Sequence, residues 1–158
     1  MRPTRTDEEL KKISRDVSYE IVMMQGAAAA FCGVSVSEHV LKNLALEGFL
    51  LHLRNLRDFF YSKTAKPDDV LAADFFEDPH KWQSVRPPLA TVVEEKRDRL
   101  NRQLAHLSYS RLSFQKSWGN IGEMLSEVMK TVSAFLRSLP QEKASWFRRW
   151  YDGASILT

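Results

Sequence analysis

Cysteine and glycine are scarce in this chain, and their scarcity excludes several kinds of functional site. The 158 residues include one cysteine, Cys32, and six glycines. A single cysteine cannot form an internal disulfide or supply the paired thiolates of a structural zinc site. The sequence has no glycine-rich phosphate loop, and its histidines, His39, His52, His80 and His106, show no close ligand-type pairing. We therefore expect neither a metal nor a bound cofactor.

Long apolar runs are also missing. The most apolar stretch, residues 21–36, is interrupted by Gln25, Gly26 and Gly33 and is too short to span a bilayer. The first nine residues are rich in charge and lack the apolar core of a secretory signal. We expect a cytoplasmic protein without a membrane partner.

Charge of one sign is not in strong excess. The net charge is +3, and the hydrophobic and charged shares are 44% and 27%, which is ordinary for a soluble globular protein. The length suits a single domain over residues 1–158. A mild positive charge allows an anionic partner such as RNA but does not require one.

The residues that are present follow helical spacing from the start. Thr6 and Glu9 match a capping box, in which each side chain accepts a backbone N–H at the beginning of a helix. This pattern predicts a first helix from Asp7 to residue 31 or 32, with Gly33 as its C-cap. Glu20 falls on the same side of this helix as several apolar residues.

A second helix is predicted over residues 36–61, with Ser35 or Ser37 as its N-cap. Apolar side chains cover more than one side of this helix, which is typical of a central helix that contacts several neighbours or a second subunit. They are Val40, Leu41, Leu44, Leu46, Phe49, Leu50, Leu51, Leu53, Leu56, Phe59 and Phe60.

Three polar residues of the second helix share one stripe. Glu47, Arg54 and Asp58 are seven and four residues apart, and Arg54 and Asp58 have the spacing of an ion pair. One interpretation is an internal salt bridge that fixes the register of the helix. The functional alternative is a polar wall that faces a charged stripe on the next helix.

Residues 62–88 form one long connection between the second and third helices. A turn near Pro67 predicts a short helix over residues 68–76, and Phe75, Phe76 and Trp82 are expected to anchor the connection on the bundle. The third helix is predicted over residues 89–109.

The C-terminal third of the chain predicts two more helices. The fourth begins after Ser117 as N-cap, keeps an apolar helical period and stops at Pro140. A short helix over residues 141–151 follows, and we expect it to dock on the bundle. Its aromatic and basic residues are Trp146, Phe147, Trp150, Tyr151, Arg148 and Arg149. The expected architecture is all-α: a single-domain bundle of four main helices plus a short C-terminal helix.

A charged stripe on the third helix is the strongest candidate for function. Glu95, Arg99, Arg102 and His106 are separated by three, four or seven residues and therefore share a helix face. A histidine titrates near neutral pH and guanidinium groups bind phosphate, so the combination is suited to handling phosphate. The alternative is a solvated basic face with an incidental histidine.

Three segments together resemble a known group of proteins. They are LLHLRNLRDFF at residues 50–60, the proline-flanked connection, and NRQLAHLSY at residues 101–109. Together they resemble a family of small, uncharacterised bacterial helical proteins. Their order and spacing resemble the HEPN superfamily over roughly residues 36–138.

The resemblance implies a helical bundle that often dimerises, and a metal-independent ribonuclease of a bacterial toxin–antitoxin or other defence system. The superfamily signature is an arginine four to six residues ahead of a histidine. Arg99 precedes His106 with six residues between them, Arg102 with three, and Asn101 occupies the commoner four-residue position. The resemblance thus gives Arg99 or Arg102 and His106 candidate catalytic roles, with Asn101 as a supporting polar group.

Such a ribonuclease needs no metal, because the 2′-OH of RNA is the nucleophile. His106 would act as general acid or base, and an arginine would stabilise the charge of the phosphorane-like transition state. One histidine cannot conveniently be both acid and base, so a symmetric dimer that joins two His106 stripes would complete the site, with the apolar second helix as interface. An antitoxin-type protein is a further expected partner.

Two other interpretations stay open. The chain could be a non-catalytic dimeric binding or regulatory module whose basic face holds RNA, a nucleotide or a protein; HEPN-like domains also occur as partners of nucleotidyltransferases. Alternatively, His106 is purely structural and hydrogen-bonded in the core, to Glu47 or Asp58.

Overall fold

The computed structural model describes residues 3–63, 65–94 and 119–151, with side chains of the last segment described to residue 147. Within these ranges the chain is all-helical and has no strand. The α-helices are α1 (Asp7–Gly33), α2 (His39–Tyr61), α3 (Pro79–Val85), α4 (Thr91–Glu94), α5 (Ile121–Ser138) and α6 (Gln141–Tyr151), with a 3-10 turn at Ala72–Phe75. The predicted all-α class is confirmed. None of the helices in these ranges is long and apolar enough to cross a membrane.

The start of α1 is the capping box that the sequence predicts. The Thr6 hydroxyl accepts the Glu9 N–H at 3.2 Å, and the Glu9 carboxylate accepts the Thr6 N–H at 2.8 Å. That backbone hydrogen bond lowers the pKa of the Glu9 carboxyl. The end of α1 differs from the prediction, because Gly33 is still helical. The C-cap is Val34, in extended conformation, whose N–H donates to the Ala30 carbonyl.

Helices α1 and α2 form an antiparallel hairpin. Tyr19 contacts His52 near one end of the pair, and the Lys42 ammonium lies over the Phe31 ring near the other. In the middle, a Cβ placed on Gly48 would lie 3.7 Å from the Cβ of Ala27, so small residues let the two backbones approach closely. The hairpin buries one face of each helix, which leaves the opposite face of α2 toward solvent.

The beginning of α2 corrects the prediction of a serine cap. The helix starts at His39, three residues later than expected, and its N-cap is Glu38, whose side chain makes no capping hydrogen bond. The Ser35 and Ser37 hydroxyls lie 2.9 Å apart and bond to each other. These two hydroxyls therefore bond within the turn and do not cap the helix.

The connection after α2 also differs from the prediction. Instead of a helix over residues 68–76, it contains the 3-10 turn at Ala72–Phe75, and the N–H of its N-cap residue Leu71 donates to the Asp74 carboxylate at 2.9 Å. Helix α3, which the sequence interpretation missed, follows with Asp78 as N-cap and Pro79 in its first turn. Proline suits that position because the N–H it lacks would have had no helical partner.

Helix α3 docks onto the C-terminal end of α2. Trp82 donates its indole N–H to the Phe60 carbonyl at 3.1 Å, and Arg86 donates to the same oxygen at 2.9 Å. The last carbonyls of a helix have no partner within it, so these two donors satisfy a group that would otherwise be buried unpaired. The anchoring role predicted for Trp82 is confirmed.

An aromatic core joins the separate elements around Phe135 of α5. Its ring is fully buried, and ring centroids from α2, the connection, α3 and α6 lie 5.5–6.0 Å from its own. These neighbours are Phe59, Phe60, Phe75, Phe76, Trp82 and Phe147. The predicted packing of Phe75 and Phe76 on the bundle is confirmed.

Helices α5 and α6 close the bundle. Asn120, rather than Ser117, is the N-cap of α5, because its side chain accepts the Glu123 N–H at 3.1 Å; Ser117 itself lies outside the described residues. Helix α5 ends at Ser138, ahead of Pro140, as predicted. Helix α6 packs on α1, and Lys143 pairs with Asp7 at 2.9 Å. Of the predicted third helix, α4 is the described part.

Candidate functional site

The residues of the predicted site fall into two groups. Arg99, Asn101, Arg102 and His106 lie outside the described residues, so the helix face that Arg99, Arg102 and His106 would share stays a prediction. The supporting polar residues Glu47, Arg54 and Asp58 lie on α2 and are described. The geometry of the second group, and of the surface around it, is what the structure contributes.

The solvent side of α2 carries large apolar side chains. Val40 is 73% exposed, Leu44 60% and Leu51 47%, whereas Phe49, Leu50 and Leu53, on the other side of the same helix, are fully buried. We call the stripe Val40, Leu44, Glu47, Leu51 and Arg54 the outer face of α2. Its alternating steps of four and three residues keep it opposite the core along the whole helix.

Helix α1 extends the apolar surface. Tyr19 and Met23, one turn apart, are 51% and 39% exposed. The Tyr19 ring makes an edge-on contact with the His52 ring of α2. Scattered exposed apolar residues are ordinary, but large apolar side chains repeated along one helix stripe, as on the outer face of α2, favour an interaction surface.

Glu47 and Arg54 lie on the outer face without partners in the described part of the chain. Neither side chain forms a hydrogen bond or ion pair with another described residue, although both are charged and seven residues apart. Seven residues of α-helix span about 10.5 Å, too far for the two to pair within one helix. Opposite charges without a partner among the described residues therefore lie on either side of Leu51.

Asp58 forms its ion pair with a residue outside the outer face of α2. Its carboxylate accepts from Arg57 at 2.6 Å, and Arg57 also donates to Glu94 of α4 at 3.3 Å. The ion pair predicted between Arg54 and Asp58 is therefore not formed. Arg57 instead ties α2 to α4, with its Nε buried and without a hydrogen-bond partner among the described residues.

A polar cluster that the sequence interpretation missed lies between α1 and α2. His52 is buried, and its Nδ1 lies 2.7 Å from the Glu20 carboxylate, which also accepts from the Asn55 amide at 3.0 Å. A ring with its proton on Nδ1 donates to the carboxylate, which fixes the orientation of the imidazole. The sequence does place Glu20 on the apolar side of α1, and a charged residue there requires a partner, so a polar contact at Glu20 could have been predicted.

A groove of about 920 Å³ opens at the far end of the bundle, between the start of α1, the connection, α3 and α6. Its cations include Arg5, Lys63, Arg86 and Lys143, and its acids are Asp7, Asp74 and Glu77. Arg86 donates to the Phe60 carbonyl and Lys143 pairs with Asp7. The groove is consequently of mixed charge, unlike the concentrated basic surface that binds a nucleic-acid backbone.

Among the described residues, no three His, Cys, Asp or Glu side chains lie close enough together to hold a metal ion. Comparison with protein-family models gives no match, and neither curated proteins nor solved structures match the chain.

Proposed function

We propose that this protein is a homodimeric, RNA-directed module in which the outer face of α2 joins two copies. The observation that carries the proposal is the exposure of Val40, Leu44 and Leu51 on that face, at 47–73% of their surface. Burial of such side chains against a second copy removes apolar area from water, which is the main driving force of protein association.

The RNA role is supported by the sequence of the third helix and by its HEPN-like resemblance. Arg99, Arg102 and His106 are spaced so that a continuous helix would place them on one face. In the proposed reaction His106 takes the proton of the RNA 2′-OH, and the oxygen attacks the adjacent phosphorus. The P–O5′ bond breaks, and the products are a 2′,3′-cyclic phosphate and a 5′-OH.

The homodimer supplies what one chain lacks in this reaction. Protonation of the leaving 5′-oxygen needs a general acid while His106 acts as base, and His106 of a second copy can provide it. Arg99 or Arg102 stabilises the charge on the phosphorane-like transition state. A bacterial defence or toxin–antitoxin setting, with an antitoxin-type protein as partner, is the context that the resemblance implies.

A non-catalytic binding module is the second candidate. It is favoured by Leu100 and Asn101, which occupy positions where the ribonuclease signature prefers other residues. In this case the basic stripe holds RNA, a nucleotide or a protein partner without cleavage, and binding weakens steeply with salt.

The experiment that tests the proposal compares wild type, His106→Ala and His80→Ala on total RNA in the presence of EDTA. His80 is an exposed histidine at the start of α3 and serves as the matched control. We expect wild type and His80→Ala to cut RNA, with His106→Ala slower by about 10²–10⁴-fold, the usual contribution of a general acid–base group. Circular dichroism of each variant controls for folding.

Each other result has a defined meaning. Salt-dependent binding without cleavage by the wild type, weakened by Arg99→Ala or Arg102→Ala, would establish the second candidate. Cleavage that persists in folded His106→Ala refutes the catalytic role. A wild type that neither binds nor cuts RNA refutes the RNA-directed role altogether.

A further inference from the structure

The charges on the outer face of α2 restrict how a second copy can dock. Glu47 and Arg54 lie two turns apart on one stripe, have no partner among the described residues, and flank Leu51. Charged residues beside an apolar contact define partner and orientation more than they add affinity. Their arrangement therefore distinguishes between the possible pairings of two identical helices.

Two α2 helices can pack face to face in only two directions across a two-fold axis. In a parallel pair each residue lies level with its own copy, so Glu47 is level with Glu47 and Arg54 with Arg54, and no Glu47 comes near an Arg54. In an antiparallel pair the order of one helix is reversed, and Glu47 of each copy can meet Arg54 of the other. The antiparallel pair therefore forms two Glu47–Arg54 ion pairs, one on each side of the two-fold axis.

We propose that α2 packs antiparallel on α2 of a second copy, with the two-fold axis near Leu51 and with two symmetric Glu47–Arg54 ion pairs. This inference rests on the proposed homodimer but is independent of RNA cleavage. The two charges lie on the same flank of α2, and a two-fold axis perpendicular to the helix brings that flank against the same flank of the second copy.

The apolar groups of the face suit this arrangement. Leu51 lies next to the axis and contacts its own copy, while Leu44, one turn from Glu47 along the helix, covers the rim of the same contact. From Val40 to Arg54 the face is about 21 Å long, and in this register it faces residues 47–61 of α2 in the second copy.

Charge reversal tests the pairing directly. Glu47→Arg leaves two arginines on the face, and Arg54→Glu leaves two glutamates, so each variant alone opposes like charges in its homodimer. An equimolar mixture of the two variants restores both ion pairs in a heterodimer, and the double variant E47R/R54E restores them in a homodimer. Lys81→Glu, at an exposed position of α3, is the matched control.

The full-length variants are compared by sedimentation equilibrium, and the mixture by co-purification of differently tagged chains. We expect each single variant to dimerise about tenfold or more weakly than wild type, since like charges across an interface are strongly disfavoured. We expect the mixture, the double variant and Lys81→Glu to dimerise like the wild type. Circular dichroism confirms that all of them fold.

The possible failures are distinguishable. Single variants that dimerise as tightly as wild type overturn the antiparallel pairing, and the homodimer stands. A monomeric wild type at high concentration overturns both the pairing and the proposed homodimer. A dimer that shows the charge-reversal pattern but neither binds nor cuts RNA keeps the pairing and refutes only the RNA role.

Discussion

Replacement of Phe135 by alanine is the sharpest test of the bundle core. The Phe135 side chain has no exposed surface, and its neighbours come from four separate elements. A Phe→Ala change in a core costs about 3–5 kcal/mol, and the cost is larger where the surroundings cannot collapse into the cavity. Rings fixed by different helices collapse poorly, so we expect a loss of about 4 kcal/mol.

Urea unfolding followed by circular dichroism measures this loss. Most domains have only about 5–15 kcal/mol of stability, so the variant is expected to be marginally folded. Val85→Ala, at an exposed position at the end of α3, is the control and should change stability by less than about 0.5 kcal/mol. A loss below about 1.5 kcal/mol for Phe135→Ala would refute the central position assigned to this ring.

Three further variants test the local contacts. Thr6→Ala should lower the Tm by a few degrees at neutral pH and by less in acid. The reason is that the pKa of Glu9 is lowered in the folded state, so its contribution is present above the unfolded pKa and disappears as the pH falls through the folded pKa. Tyr61→Phe should cost about 1 kcal/mol, for the hydrogen bonds of its hydroxyl. Burial raises the pKa of the Tyr61 hydroxyl above the ordinary value of a tyrosine, so in strongly alkaline solution the wild type should lose stability that the variant does not lose. Glu20→Ala removes the acceptor of two side chains and should cost about 1–3 kcal/mol by urea unfolding, whereas the exposed Glu8→Ala should be nearly neutral. Equal effects of the two glutamates would contradict the structural role of Glu20.

Features that depend on neighbouring residues could be predicted from the sequence. The capping box at Thr6 and the stop before Pro140 need only a few adjacent positions, and both are confirmed. Helix α3 was missed because its place is determined by Trp82, which packs among aromatic rings of distant segments. The start of α2 was missed because the Ser35 and Ser37 hydroxyls bond to each other, a choice that spacing does not reveal.

In the candidate site, too, the sequence predicts the local features and misses those that depend on the packing of distant residues. Spacing correctly places Glu47 and Arg54 on one stripe of α2, because that follows from the helical period. It could not indicate that Asp58 pairs with Arg57, since that choice depends on α4 lying beside α2. The His52–Glu20 contact joins residues 32 positions apart, and only the packing of α1 on α2 brings them together.

RNA cleavage by the mixed charge-reversal variants tests the central claim most directly, since it requires both the dimer and its site. Glu47→Arg and Arg54→Glu are assayed separately and as an equimolar mixture on total RNA with EDTA present. The proposed homodimer predicts weak cleavage by each variant alone and recovery toward the wild-type rate in the mixture. Wild-type rates from each variant alone, or a mixture that forms the heterodimer yet does not recover, would contradict it.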